Sequence, residues 1–297
     1  MSDQDPAYCA NSATRTIDLD FPEGWAKRYP DVYPVCREAT DAIRRLIPTG
    51  NYAKLARHSP GLDGYNWDAY IDLSLIRMVH VARALKKVGA PDCKVLDFGS
   101  YFGNFALMAR KLGCKVDALD SYARYAPALS QEREALIAAG IDIIDSSIHQ
   151  DVLDRLDRHY DAILCLGVIE HIPHTPRLLL EHLARHLRPG GCLILDTPNI
   201  AYLYRREALA RGESVHLPVS LQFETELPFE GHHREYTTTE VAWMLKKVGF
   251  ELVNLELFNY SIFGAKQLIG DDARRFRKMD ADASMREIIF AVAKKFG

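Results

Sequence analysis

The stretch VLDFGSYFGNFAL, residues 95–107, decides how the rest of the chain is read. Its apolar start reads as a buried strand, Gly99 to Gly103 as a turn, and the residues after it as the opening of a helix. Downstream the same rhythm repeats. CKVDALD, IDIID, DAILCLGVI and CLILDTPN read as short apolar strands between helix-like segments such as NFALMARKLG and TPRLLLEHLARHLRPGG. Strands apolar on both faces belong to a parallel sheet covered by helices on both sides. Several helix-like segments end in glycine (Gly113, Gly140, Gly190), as helix stops commonly do. The expected fold is therefore α/β: a doubly wound, mostly parallel sheet with helices on both faces, over residues 91–297.

Residues 1–90 read differently. DAYIDLSLIRMVHVARALKKVGA has helical apolar spacing, and the segment before it is rich in Gly, Pro and aromatic residues. This part is expected as a mainly helical cap with lid elements, packed on the α/β domain. A second irregular stretch, about 199–237, interrupts the βα alternation and reads as a substrate-binding insertion. ELVNLELF and REIIFAVAKK close the chain as strands.

Composition narrows the class. With 48% hydrophobic and 26% charged residues, 297 residues can bury a sizeable core. A formal net charge of −3 and the lack of a basic stripe argue against nucleic acid as partner. The six cysteines form no CxxC pair and read as reduced core thiols, which with the polar, acidic start predicts a cytoplasmic protein. No apolar run approaches membrane-spanning length. A homodimer is left open.

In open α/β sheets ligands bind at the carboxyl ends of strands, so the turn 97–103 is the first candidate site. Gly99 and Gly103 let a ligand approach the backbone. Asp97 at the turn's entrance suits an amino group better than a phosphate. Asp120 ends the next strand, where a carboxylate can accept hydrogen bonds from both hydroxyls of a ribose. A dehydrogenase fits worse, because its G-x-G-x-x-G fingerprint is absent.

YDAILCLGVIEHI, LLLEHLARHLRPGGCLILDTPN and HHREYTTTEVAWMLKKVGF follow in order, and with 97–103 they resemble class I S-adenosylmethionine-dependent methyltransferases. The resemblance covers about two-thirds of the chain, from Lys94 to the last strand. It implies a seven-stranded Rossmann-like sheet and S-adenosyl-L-methionine as cofactor. By that resemblance Asp97, Phe98, Gly99, Ser100, Tyr101 and Gly103 surround the cofactor's methionine part. Asp120 and Ser121 take the ribose, Ser147 and Ile148 the adenine, and Leu166 and Gly167 line the pocket. One departure stands out: Tyr101 occupies the family's middle glycine position and is expected to border the methionine end or the acceptor pocket.

Methyl transfer from a sulfonium to a hydroxyl needs alignment and removal of a proton, a role that suits histidine. His171, after the fourth strand of the repeating series, and His232 and His233, at the close of the insertion, are the candidate bases. Glu170, Asp196, Asn199, Tyr202 and Arg234 are the candidate acceptor-binding residues. His171, Asp196, His232 and His233 could converge on a metal, but no ligand spacing such as HExxH is present, and none is expected. The leading expectation is O-methylation of a small polar molecule, such as a sugar, glycan precursor or natural product. The alternatives are N- or C-methylation, or a cofactor-binding protein without methyl transfer.

Overall fold

Val95, Leu96 and Phe98 are buried on alternate faces of one strand, and that strand lies inside the main sheet. The structure, a computed structural model, describes residues 16–50, 52, 55, 64–146 and 158–296. In chain order the strands are β1 (Ile17–Asp18), β2 (Lys94–Phe98), β3 (Lys115–Asp120), β4 (Asp142–Asp145), β5 (Tyr160–Leu166), β6 (Leu187–Pro198), β7 (Phe250–Phe258), β8 (Gln267–Leu268) and β9 (Ile288–Lys295). The helices are α1 (Glu23–Arg28), α2 (Tyr33–Arg44), α3 (Trp67–Val88), α4 (Asn104–Lys111), α5 (Tyr122–Tyr125) and α6 (Ser130–Ala138). They continue as α7 (Arg177–His186), α8 (Leu203–Ala210), α9 (Val219–Phe223), α10 (Thr238–Lys247) and α11 (Gly270–Ala281).

The seven-stranded sheet has the order β4-β3-β2-β5-β6-β9-β7. Only β9 runs against the others, paired antiparallel with β6 and β7. From β2 the chain steps outward through β3 to β4, then returns to place β5 on β2's other side. The strand order reverses there, so the carboxyl ends of β2 and β5 frame the crevice where such sheets bind ligands. This is the expected seven-stranded, mostly parallel Rossmann-like fold.

Alternation along the strands assigns the two faces. Ala162 and Leu164 of β5 join a core with α2, α3 and α4, whereas Ile163 and Cys165 join one with α7 and α10. Burying a Leu or Ile side chain contributes about 1.5–3 kcal/mol, so these paired cores hold the layers together. The helices expected as a cap turn out to be one of these layers. Ile71, Leu75, Val79 and Ala82 of α3 share a core with Val95 and Val116 of the sheet. Asn66 caps α3 by accepting the Ala69 N–H at 3.0 Å, and Gly89, at φ 136°, ends it.

The insertion is closed at its neck. Asn199 and Tyr236 pair as an isolated bridge, and the Ile200 N–H donates to the Tyr236 carbonyl at 3.0 Å. Between them lie α8 and α9, with Leu209, Val219, Phe223 and Leu227 exposed. The short β1–β8 pair has no counterpart in the sequence reading, while α11 carries the basic run Arg274–Lys278 on a helix. No helix among the described residues is long and apolar enough to cross a membrane.

Candidate functional site

The turn after β2 keeps the glycine-type backbone at all three positions, including the one held by tyrosine. Gly99, Tyr101 and Gly103 have φ of 76°, 48° and 77°. Packing adds to this at 99, where a Cβ would lie 2.7 Å from Val168 Cγ2; one at 103 would press on the Leu136 side chain. Tyr101 pays the left-handed penalty, about 1–2 kcal/mol for a residue with a Cβ. Its amide hydrogen bond offsets part of that cost, donating to Asp120 Oδ2 at 2.7 Å. The ring packs edge-on against Phe102 and Tyr125 and beside Trp67 of α3. Ser100 Oγ shares a hydrogen bond with the Tyr122 hydroxyl, Phe98 lies in the core of the opposite face, and α4 is tied to α3 by Asn104 Nδ2 donating to Ser74 Oγ.

Asp120 is fixed from both sides. Besides Tyr101, the Ser121 N–H donates to Oδ1 at 2.7 Å, so each carboxylate oxygen holds one amide and retains a lone pair. Burial pushes its pKa up to about 6, although both amides pull it down. Asp97 is also buried, and its Oδ2 has no hydrogen-bond partner among the described residues. Burial drives its pKa up to about 7, with Asp120 adding to the rise. A buried orphan carboxylate oxygen beside a rigid turn fits a donor with an ammonium group. Two lone pairs on Asp120 fit a pair of ribose hydroxyls. The residues present therefore fit S-adenosylmethionine. Ser147 and Ile148 lie outside the described residues; Leu166 and Gly167 sit at the end of β5, with Gly167 at φ 65°.

Beyond Gly167 the chain makes a short 3-10 turn, Ile169–His171. Here a second cluster forms. The end of the insertion is stitched onto this turn, because the His233 and Arg234 N–H groups both donate to the Glu170 carbonyl, at 2.7 and 3.3 Å. This brings the His232 ring edge-on to His171, with centroids 4.8 Å apart. Glu170, His171 and His232 each offer a ligand-type atom within 4.8 Å of the others. The sequence expectation of no metal motif thus meets a gathered donor set. It differs from the group considered there: Glu170 belongs to it, and Asp196 and His233 do not.

Each member is held from behind. His171 Nδ1 hydrogen-bonds the Glu230 carbonyl at 2.7 Å, and that acceptor requires the proton on Nδ1. His232 Nδ1 contacts Glu235 Oε1 at 2.8 Å, and Arg205 holds the same carboxylate oxygen at 3.1 Å. Thr197 Oγ1 donates to Glu170 Oε2 at 2.9 Å. Burial, with His232 adding repulsion, lowers the His171 pKa to about 4, and burial raises Glu170 to about 7. Burial works against the charge on His232, yet its hydrogen bond to Glu235 and the field of Glu170 prevail and raise its pKa.

The remaining candidates are engaged elsewhere. Both Asp196 oxygens accept from Arg77 of α3, at 2.6 and 2.9 Å, so this carboxylate clamps helix to sheet. Asn199 spends its amide on the carbonyls of Ser284 and Arg286 and on the Ala201 N–H, which fixes the insertion's neck. His233 Nε2 turns to the Phe229 carbonyl, away from the His171–His232 pair. Arg234 is exposed and pairs with Glu240. Tyr202 leads into α8, its ring beside Tyr204. Arg77, Glu230 and Glu235 escaped the sequence reading, since each finds its partner only through the fold. Glu230 links the two halves of the site: its carbonyl holds His171, and its carboxylate pairs with Arg124 on α5 at 2.6 Å.

Comparison with known proteins agrees with this arrangement. The family described as "Methyltransferase domain" matches residues 37–255. A ubiquinone biosynthesis O-methyltransferase of Xanthomonas oryzae pv. oryzae is 30% identical over 135 residues, covering 43% of this chain and 51% of that protein. One of Rickettsia conorii is 32% identical over 109 residues, covering 36% of this chain and 35% of that protein. The chain thus spans about half or less of the length of these curated relatives. A SAM-dependent methyltransferase structure from Archaeoglobus fulgidus shares the fold, with a TM-score of 0.51 at 16% identity over 74% of this chain and 93% of that one. With the family model matched over most of the chain, the protein belongs to the methyltransferase-domain family, and it shares the fold of the Archaeoglobus fulgidus structure.

Proposed function

We propose that the protein methylates a hydroxyl oxygen of a small ring compound, with the proton leaving at the Glu170–His171–His232 cluster. The observation that carries this reading is the His171 tautomer: with Nδ1–H committed to the Glu230 carbonyl, the Nε2 lone pair is the ring's available base. Bound S-adenosylmethionine supplies an electrophilic methyl group on a sulfonium. The protein's share is to hold the hydroxyl against His171 Nε2, which accepts its proton as the oxygen's electron pair is freed. The Glu235–Arg205 pair fixes the His232 ring beside it. Asp97 and Asp120 hold the donor, and Tyr101 stands at the turn beside them with its ring packed on Trp67.

Oxygen is favoured over nitrogen or carbon by the relatives, which are named as O-methyltransferases acting in ubiquinone biosynthesis. Those names give no support to the sugar or glycan acceptor expected above, so phenolic and alcoholic hydroxyls stand equally in the test. Purified protein with donor labelled in the methyl group should transfer label to a hydroxylated ring compound in a panel of phenols, sugars and amines. His171→Ala should lower turnover about 100-fold or more, within the usual range for losing a general base, with donor affinity nearly unchanged. Label appearing only on amines would overturn the assignment of oxygen.

A further inference from the structure

We propose that Glu170, His171 and His232 form a site for a divalent transition-metal cation of the zinc class, with open positions facing the acceptor. The inference rests on the reading above for the acceptor's hydroxyl alone and replaces its base, since a ligating His171 Nε2 no longer takes the proton; the site itself stands on the cluster's construction.

The first argument is the donor set. Two imidazoles and one carboxylate, each offering an atom within 4.8 Å of the others, are the ligand types that suit zinc and its neighbours. Three protein ligands with a vacancy mark a catalytic site rather than a structural one. The second argument is the ring of groups behind the ligands. Metal-bound histidines characteristically donate their other N–H to a carbonyl or carboxylate, which fixes the ring and raises its basicity. Here the Glu230 carbonyl does this for His171 and the Glu235 carboxylate for His232, leaving Nε2 as the coordinating nitrogen on both. Thr197 holds one Glu170 oxygen and leaves the other free to coordinate.

The third argument is position. The 3-10 turn that carries Glu170 and His171 follows directly from β5, on the crevice side of the sheet. Ligand bonds of about 2.0–2.1 Å require the donor atoms to close in from their present separation. The backbone is already set for this by the two hydrogen bonds to the Glu170 carbonyl, so the closure falls to side-chain rotation. An ion held there acidifies a hydroxyl in an open position. The O–H bond breaks with its proton passing to water, the electron pair stays on oxygen, and the imidazoles serve as ligands in place of the base.

The test needs no turnover. Protein stripped with a chelator is titrated with cobalt(II), without donor or acceptor, and visible absorption is followed. One saturable equivalent with the d–d bands of a nitrogen- and oxygen-ligated ion is expected. His171→Ala, His232→Ala and Glu170→Gln should each weaken binding at least about tenfold, and Glu235→Gln, which leaves the ligands intact, should also weaken it. His233→Ala should bind as the wild type does. No saturable binding by folded wild-type protein, or binding indifferent to His171→Ala and His232→Ala together, would overturn the site. The two readings fail separately. Full turnover in chelated protein would sink the ion and spare O-methylation. Cobalt binding with label transferred only to amines would do the reverse.

Discussion

At the scale of single residues, Tyr101 and Asp97 show how the site holds unfavourable states in place. Tyr101 sits at φ 48° where glycine would be free of strain. Tyr101→Gly and Tyr101→Ala both remove the ring, so their difference isolates the backbone. The glycine variant should be more stable than the alanine variant by about 1 kcal/mol in urea unfolding. Equal stabilities would mean that the turn relaxes once the ring is gone. Asp97, raised by burial from 3.8 to about 7, keeps a proton that the unfolded chain has already released. Its stabilising contribution is therefore complete below about pH 4 and is lost as pH climbs through about 7. Asp97→Asn removes that dependence. The variant's melting temperature should gain on the wild type's between those limits and run parallel to it outside them. Donor affinity of the wild type should rise over the same interval, since the cationic donor selects the carboxylate.

At the scale of elements, the Arg77–Asp196 clamp joins α3 to β6 across 119 residues of sequence. Only 12% of the Arg77 side chain and 1% of the Asp196 side chain are exposed. Arg77→Met should destabilise by about 3–5 kcal/mol, because it strands a buried charge, and Arg77→Met with Asp196→Leu should recover most of the loss. Denaturant melts of the four proteins complete the cycle; additive effects would show that the pair is not coupled. This clamp also marks the limit of legibility. The inner strands β2, β5, β6 and β9 could be read because each has a run apolar on both faces within a few residues. Asp97 and Asp120 could be read because they lie one βα unit apart. Arg77 looked like a polar residue on a helix, and nothing local tells that its partner is a strand-end aspartate. Glu230 and Glu235 stayed hidden because a second row of partners has no spacing rule. β1 and β8, two residues each, are too short to carry any periodicity.

At the scale of the whole molecule, α2 and α3 pack on the sheet through a shared core. Leu75→Ala should therefore cost about 2–5 kcal/mol in one transition, with sheet and helix signals melting together. A separate early transition of the helices would show an independent module. Apolar helical spacing alone does not say which surface a helix covers. The insertion behaves differently, and its neck has a consequence for how such enzymes diversify. Asn199, Tyr236 and the Glu170 contacts bring the two ends of the loop together before anything between them matters. Closure entropy then grows only with the logarithm of loop length, about 0.6 kcal/mol for each doubling. The segment between His216 and Phe229, which leaves out Arg205 and its Val215 partner, can be lengthened, shortened or exchanged at little thermodynamic cost. It is in effect an interchangeable cassette, whose sequence can drift while the neck that carries it stays fixed.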